Sequence, residues 1–279
     1  MTIRTWQSLQ SGIKYALLIA LCLVIMGPVV TAVLGSIRTT GEFLTMPFGL
    51  PKNGIQWENY TSILENPAFW NSLRNSVIIT GGVTFLDFVF SSMLAFIFSR
   101  VDFRGRALLF NILMIGLLFP LVIAILPIFI QIRQLNLINS MWGVILPLVA
   151  FKMPSSVVIL RSFFASVPGE LEDAAYIDGC STFGFFRYIL LPLARPALLA
   201  VGTLSVIASW NEYFLPLIVL NDPGLWPLPL GIMQFQGQYG TDYARIMAYV
   251  TLLIIPAVLF YLVAEKYIVT GLTGGELKG

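Results

Sequence analysis

The chain has 279 residues, of which 57% are apolar, 11% are charged and none is histidine, with a mean hydropathy of +0.86. A soluble domain carries about 25% charged residues, so this composition excludes an ordinary water-exposed surface, and its long apolar runs point to a bilayer as solvent. Sixteen basic and fourteen acidic side chains leave a formal charge of +2, too small and too scattered to follow a nucleic-acid backbone.

Crossing about 30 Å of hydrocarbon takes about 20 helical residues, and six runs reach that size: Tyr15 to Ile37, Val77 to Phe98, Ala107 to Ile130, Ser140 to Leu160, Ala197 to Leu220 and Ile246 to Ile268. The first follows Arg4 and Lys14 as a signal peptide would, but it is too long for a cleavable apolar region and reads as a retained span. Six spans put both termini on one side. Arg4, Lys14, Arg100, Arg104, Arg106, Arg161, Arg187, Arg195, Lys266 and Lys278 lie on that side, against Arg38, Lys52, Arg74, Arg133 and Arg245 on the other. Ten against five predicts cytoplasmic termini.

The segment after the first span, Arg38 to Ser76, is rich in Pro, Gly and aromatic residues and is expected to form a small cap outside the membrane. Within the spans, Pro28, Pro120, Pro127, Pro147, Pro154, Pro216 and Pro256 are positions where helices kink or break. Asp87, Lys152 and Glu212 are charges inside spans, each costly enough to invite a functional reading. Lys152 pairing with Asp87, or snorkelling, is the simpler account of that lysine.

The polar segment between the fourth and fifth runs, residues 161–196, carries the most information. Ser166 is a helix cap, Pro168 suits a first turn, and Glu170, Glu172 and Asp173 complement the positive end of a helix dipole. Gly179 supplies the stop. Ser181 caps a second short helix that Pro192 halts. Ala174 and Ala175 leave the first helix a nearly bare face edged by Leu171 and Ile177, open to close approach by a partner; an amphipathic linker on lipid headgroups is the alternative.

Cys22 and Cys180 give no disulfide framework, and without histidine or clustered thiols a transition-metal site lacks its usual ligands. GxxxxGK[ST], HExxH and GxSxG are absent, so neither ATP binding nor membrane-embedded hydrolysis by this chain is indicated.

Asp173-Ala174-Ala175, three residues, Gly179, nine residues, then Ile189-x-Leu191-Pro192 resembles the EAA loop of ABC importer permeases. The wider string from Glu170 to Pro196 is similar to the carbohydrate-importer branch. Asn75-Ser76, Trp210-Asn211-Glu212-Tyr213 with Pro216-Leu217, Leu230-Gly231, Gln236-Gly237-Gln238-Tyr239-Gly240-Thr241 and the tail Gly271 to Gly279 also resemble the shorter, maltose-type permease subunit. Two positions depart from the family pattern: Asp173 stands where glutamate is usual, with Glu172 beside it able to compensate, and Cys180 where alanine is common.

The resemblance implies an all-α, six-span type I importer permease, with residues 1–279 as one transmembrane domain in a prokaryotic cytoplasmic membrane. It also implies partners: a second permease chain, two copies of a cytoplasmic ATPase that bind the ATP and Mg while this chain binds no cofactor, and an external sugar-binding protein. Glu172, Asp173, Ala174, Ala175, Ile177, Asp178 and Gly179 would couple to the ATPase. Trp210, Asn211, Glu212 and Tyr213 would line the sugar path, or hold helices together. Gln236, Gln238 and Tyr239 would reach toward the binding protein, or form a solvated loop, and residues 270–279 would reach between the ATPase subunits, or fray. The rival readings are a permease for glycerol phosphate or another polyol and, outside this class, an ion-coupled secondary transporter.

Overall fold

A computed structural model describes the backbone of residues 3–237 and 240–273, and the side chains of residues 12–237 and 240–265. It is almost wholly helical. In chain order the helices are α1 (Ile3–Ser36), α2 (Thr40–Thr45), α3 (Glu58–Leu64), α4 (Pro67–Arg100), α5 (Arg106–Ile115), α6 (Leu121–Gln134), α7 (Met141–Ser166), α8 (Gly169–Ile177), α9 (Thr182–Gly184), α10 (Leu191–Leu193), α11 (Arg195–Trp210), α12 (Phe214–Val219), α13 (Leu228–Gly231) and α14 (Tyr243–Thr273). Two short antiparallel strands, β1 (Gln236–Gly237) and β2 (Gly240–Thr241), precede α14.

Four segments are long and apolar enough to cross a membrane: Gly12–Ser36, Pro67–Arg100, Met141–Ser166 and Tyr243–Glu265. Two bent pairs raise the number to six if each is one span: Arg106–Leu118 with Leu121–Gln134, bent by 107°, and Thr182–Leu193 with Arg195–Trp210, bent by 77°. The third run, expected as one helix from Ala107 to Ile130, is therefore broken. Pro120 forces its predecessor out of the helical region, and Phe119 is extended at φ −100°, ψ 113°. The fifth run, expected through Leu220, stops at Trp210. The side chain of Glu212 accepts from the backbone N–H of Leu215 at 3.2 Å, and α12 begins anew with Pro216 in its first turn, where a missing N–H costs little.

The chain divides into two compact units, residues 1–69 with 232–256 and residues 70–231 with 257–279. In the first, Arg38 is fully buried and donates to the carbonyls of Leu34, Met46 and Pro47. Asn59 gives its amide N–H groups to the carbonyls of Ser36 and Arg38. The expected cap is thus folded around a buried guanidinium. In the second unit, Ile79, Val83, Ile132, Val144, Leu148, Leu215 and Val219 form one apolar core. Gly143 belongs to its wall: a Cβ there would stand 2.3 Å from the carbonyl oxygen of Leu137. A second core of Phe96, Phe98, Leu160, Phe164, Phe185 and Leu190 lies beneath α8.

Candidate functional site

α8 begins where Pro168 dictates. The proline pushes Val167 into extended backbone, φ −71° and ψ 128°, so α7 closes at Ser166 and α8 opens at Gly169 with Pro168 as its N-cap. Ser166 is not the cap that the sequence suggested; its hydroxyl donates back to the carbonyl of Phe163 at 2.7 Å. Glu170 and Glu172 lie in the first turn of α8, the favourable place for negative charge.

The stop at Gly179 has the expected chemistry. Its φ is +82°, and two bonds close the turn: Gly179 N–H to Tyr176 O at 3.0 Å and Cys180 N–H to Ala175 O at 2.9 Å. These are the two bonds of a Schellman motif. Ser181 then caps α9, accepting from the N–H of Gly184 at 3.1 Å. Pro192 does not end the second helix as expected. A π turn over Phe185–Leu190 widens the helix before the proline and relieves the usual clash with the preceding turn, so helical backbone continues through Leu193.

Ala174 and Ala175 do not share one bare face. Ala175 is 5% exposed and belongs to the core with Phe164 and Phe185, whereas Ala174 is exposed. The outward strip of α8 is Leu171, Ala174 and Ile177, the last 86% exposed, with the carboxylates of Glu170, Asp173 and Asp178 beside it, all exposed. It is an apolar ridge with a low middle and acidic flanks.

Glu172 turns the other way. It forms an ion pair with Arg100 at 3.5 Å, both side chains mostly buried at 11% and 15% exposure, and accepts from the Tyr176 hydroxyl at 2.9 Å. It therefore does not stand in for Asp173 on the outward strip. Arg100, the last residue of α4, also donates to the carbonyls of Phe164 and Val167 at the end of α7, where helical carbonyls lack partners. One guanidinium thus joins α4, the end of α7 and α8. From the sequence, Arg100 counts only as a positive charge beside the membrane; an arginine ending an apolar run and a glutamate in a later loop were the available signal, but their pairing across 72 residues was not.

Within the spans, Asp87 is fully buried and accepts from the hydroxyls of Ser91 at 2.7 Å and Ser156 at 2.8 Å. Serines, not Lys152, satisfy it. Among the described residues Lys152 has no ion pair within 4.0 Å. Trp210, Asn211, Glu212 and Tyr213 occupy the break between α11 and α12. Asn211 donates its side-chain amide to Ile207 O at 2.7 Å, Glu212 caps α12, Tyr213 packs edge-on against Phe214, and the indole N–H of Trp210 is buried without a partner among the described residues.

Gln236 is exposed in β1; Gln238 and Tyr239 lie outside the described residues. Residues 270–273 continue α14, and 274–279 lie outside the described residues.

Apolar helices long enough to span, with two sharply bent pairs and a short helix clamped at the end of α7, define a polytopic helical membrane protein. The family described as "Binding-protein-dependent transport system inner membrane component" matches residues 87–267. The chain is 32% identical over 270 residues to the diacetylchitobiose uptake system permease protein NgcG of Streptomyces coelicolor, covering 96% of this chain and 89% of that one. It is 36% identical over 265 residues to the trehalose/maltose transport system permease protein MalG of Thermococcus litoralis, covering 94% of each. Its fold matches a chain of a bacterial ABC transporter involved in the import of the acidic polysaccharide alginate, with a TM-score of 0.81 at 22% identity over 96% of this chain and 99% of that one. The chain belongs to the family of binding-protein-dependent transport system inner membrane components, multi-pass and non-catalytic membrane subunits of ABC transporters.

Proposed function

We propose that this chain is a six-span permease subunit of an ATP-driven importer that moves a sugar across the cytoplasmic membrane, each bent pair acting as one span and both termini lying in the cytoplasm. Its partners are a second permease chain, two ATPase subunits that hold the ATP and Mg, and an external binding protein. The observation that carries the reading is α8: a short helix outside the spans, clamped on its inner side and presenting Leu171, Ala174 and Ile177 outward. Seated in a cleft of the ATPase, that ridge would transmit closure of the ATPase to α7 covalently and to α4 through Arg100. Asp173 and Asp178 would meet the partner directly, and Gly179 would set the direction of the helix.

Sugar as substrate is supported by the substrates in the names of the relatives, diacetylchitobiose and trehalose/maltose. Of the three charges that the sequence places inside the spans, Asp87, Lys152 and Glu212, two are carboxylates, a balance that favours a neutral solute over a glycerol phosphate. Glu212, part-buried, and Asn211, exposed, stand at a break in the helix and offer the acceptor and donor groups that sugar hydroxyls need. Gln236 and its neighbours would contact the binding protein, and residues 270–279 the ATPase pair. The test is uptake of labelled oligosaccharides by vesicles carrying the assembled transporter. Uptake that needs both ATP and the binding protein supports the reading; uptake that follows an ion gradient without ATP overturns it.

A further inference from the structure

The turn between α4 and α5 encloses a cleft of about 510 Å³ whose walls include Phe98, Phe103, Arg106, Phe110, Asn111 and Arg161. Two guanidinium groups line it and no carboxylate does. Asp102, outside the lining, pairs with Arg106 at 2.6 Å and is itself 96% exposed. Each nitrogen of Arg106 makes a hydrogen bond, the other two acceptors being the carbonyls of Phe98 and Ser99.

Arg161 is held but not used up. Its Nε donates to the Phe98 carbonyl at 3.0 Å, and its guanidinium carbon lies 4.3 Å from the centroid of the Phe110 ring. Its two terminal nitrogens have no hydrogen-bond or ion-pair partner among the described residues. The result is a rotationally fixed fork with spare donors, the geometry that suits two oxygens of a phosphate. The first turn of α5 borders the same cleft through Ala107 and Leu108 and has no side-chain cap, so its N–H groups add to the positive potential.

The cleft lies where two membrane helices meet their connecting turn, and an apolar track leads away from it. Leu108, Leu109 and Ile112 of α5 are 64%, 50% and 55% exposed. A soluble anion has no use for that track, whereas an acyl chain does. We infer that the cleft binds an anionic phospholipid, its phosphate on the free edge of Arg161, its headgroup near Asn111 and a chain along Leu108 and Ile112. A zwitterionic headgroup is disfavoured because its ammonium would face the guanidinium of Arg161, which has no ion pair among the described residues.

The test uses the assembled transporter in mild detergent, with lipid retention followed by native mass spectrometry and thermal midpoints read in parallel. Phosphatidylglycerol is expected to be retained and to raise the midpoint, phosphatidylcholine and inorganic phosphate are not, and Arg161→Gln is expected to weaken phosphatidylglycerol retention about tenfold. Equal retention of the two lipids, or a native preference in Arg161→Gln, overturns the inference. A midpoint shift by inorganic phosphate equal to that by phosphatidylglycerol also overturns it, leaving a soluble-anion site. Should Arg161→Gln fail to assemble, a headgroup-photoreactive phosphatidylglycerol on the wild-type complex decides: crosslinks within residues 103–111 support the site, and crosslinks confined elsewhere refute it.

Discussion

Substituting Gly179 isolates the turn that orients α8, because a side chain there adds strain without adding a clash. The residue sits at φ +82°, and a Cβ built on it meets nothing within 4 Å. The penalty is therefore that of the left-handed region, about 1–2 kcal/mol and at the upper end for a β-branched residue. That shifts the balance between the closed and the opened turn by about 5- to 30-fold, with valine near the upper figure. Opening it breaks the bonds from Gly179 N–H to Tyr176 and from Cys180 N–H to Ala175 and frees the outward ridge of α8 from its fixed direction. Gly179→Val is expected to abolish substrate-stimulated ATP hydrolysis by the assembled transporter while the chain still inserts in the membrane at native amounts. Gly179→Asn is expected to keep most of the stimulation, since asparagine tolerates the left-handed region. Native stimulation in the valine variant, or failure of the asparagine variant as complete as that of valine, would refute the assignment of this turn.

Three further outcomes follow from particular contacts. Arg100→Ala leaves Glu172 and the carbonyls of Phe164 and Val167 without their donor, at a cost of about 3 kcal/mol; in proteoliposomes the sugar moved per ATP hydrolysed is expected to fall, with Arg100→Lys intermediate, and an unchanged ratio would remove Arg100 from the coupling route. Asp87→Ala strands the hydroxyls of Ser91 and Ser156 and is expected to lower stability by about 2 kcal/mol, whereas Asp87→Asn keeps both contacts, since hydroxyls rotate to donate or accept; thermal midpoints in detergent that rank the two variants equally would contradict this. Arg38→Met removes donors from the carbonyls of Leu34, Met46 and Pro47 and is expected to open residues 39–57 to protease added outside the cells, and native resistance would show that the cap does not depend on this guanidinium.

Much of α8 was legible because its signals are local. A proline, acidic residues in the first turn, a glycine stop and a serine cap act over a few residues, so Gly179 and Ser181 behave as their chemistry dictates. Ser166 misled because two local rules competed: a serine can cap a helix, but Pro168 forbids helical backbone at Val167, and the steric rule won. Hydropathy located the apolar runs but could not reveal that Pro120 bends one by 107°, since apolar character is blind to direction. Arg100 with Glu172, and Asp87 with Ser156, are pairings between distant segments that only packing brings together.

The most direct test of α8 as the link to an ATPase is recovery of partners. A tagged copy of this chain, isolated from its native membrane in mild detergent, is expected to bring with it an ATPase and a second permease chain, and to show ATP hydrolysis stimulated by the binding protein loaded with sugar. Deleting residues 168–180 is expected to lose the ATPase while retaining the second permease. Recovery of the ATPase in undiminished amount after that deletion would contradict the account.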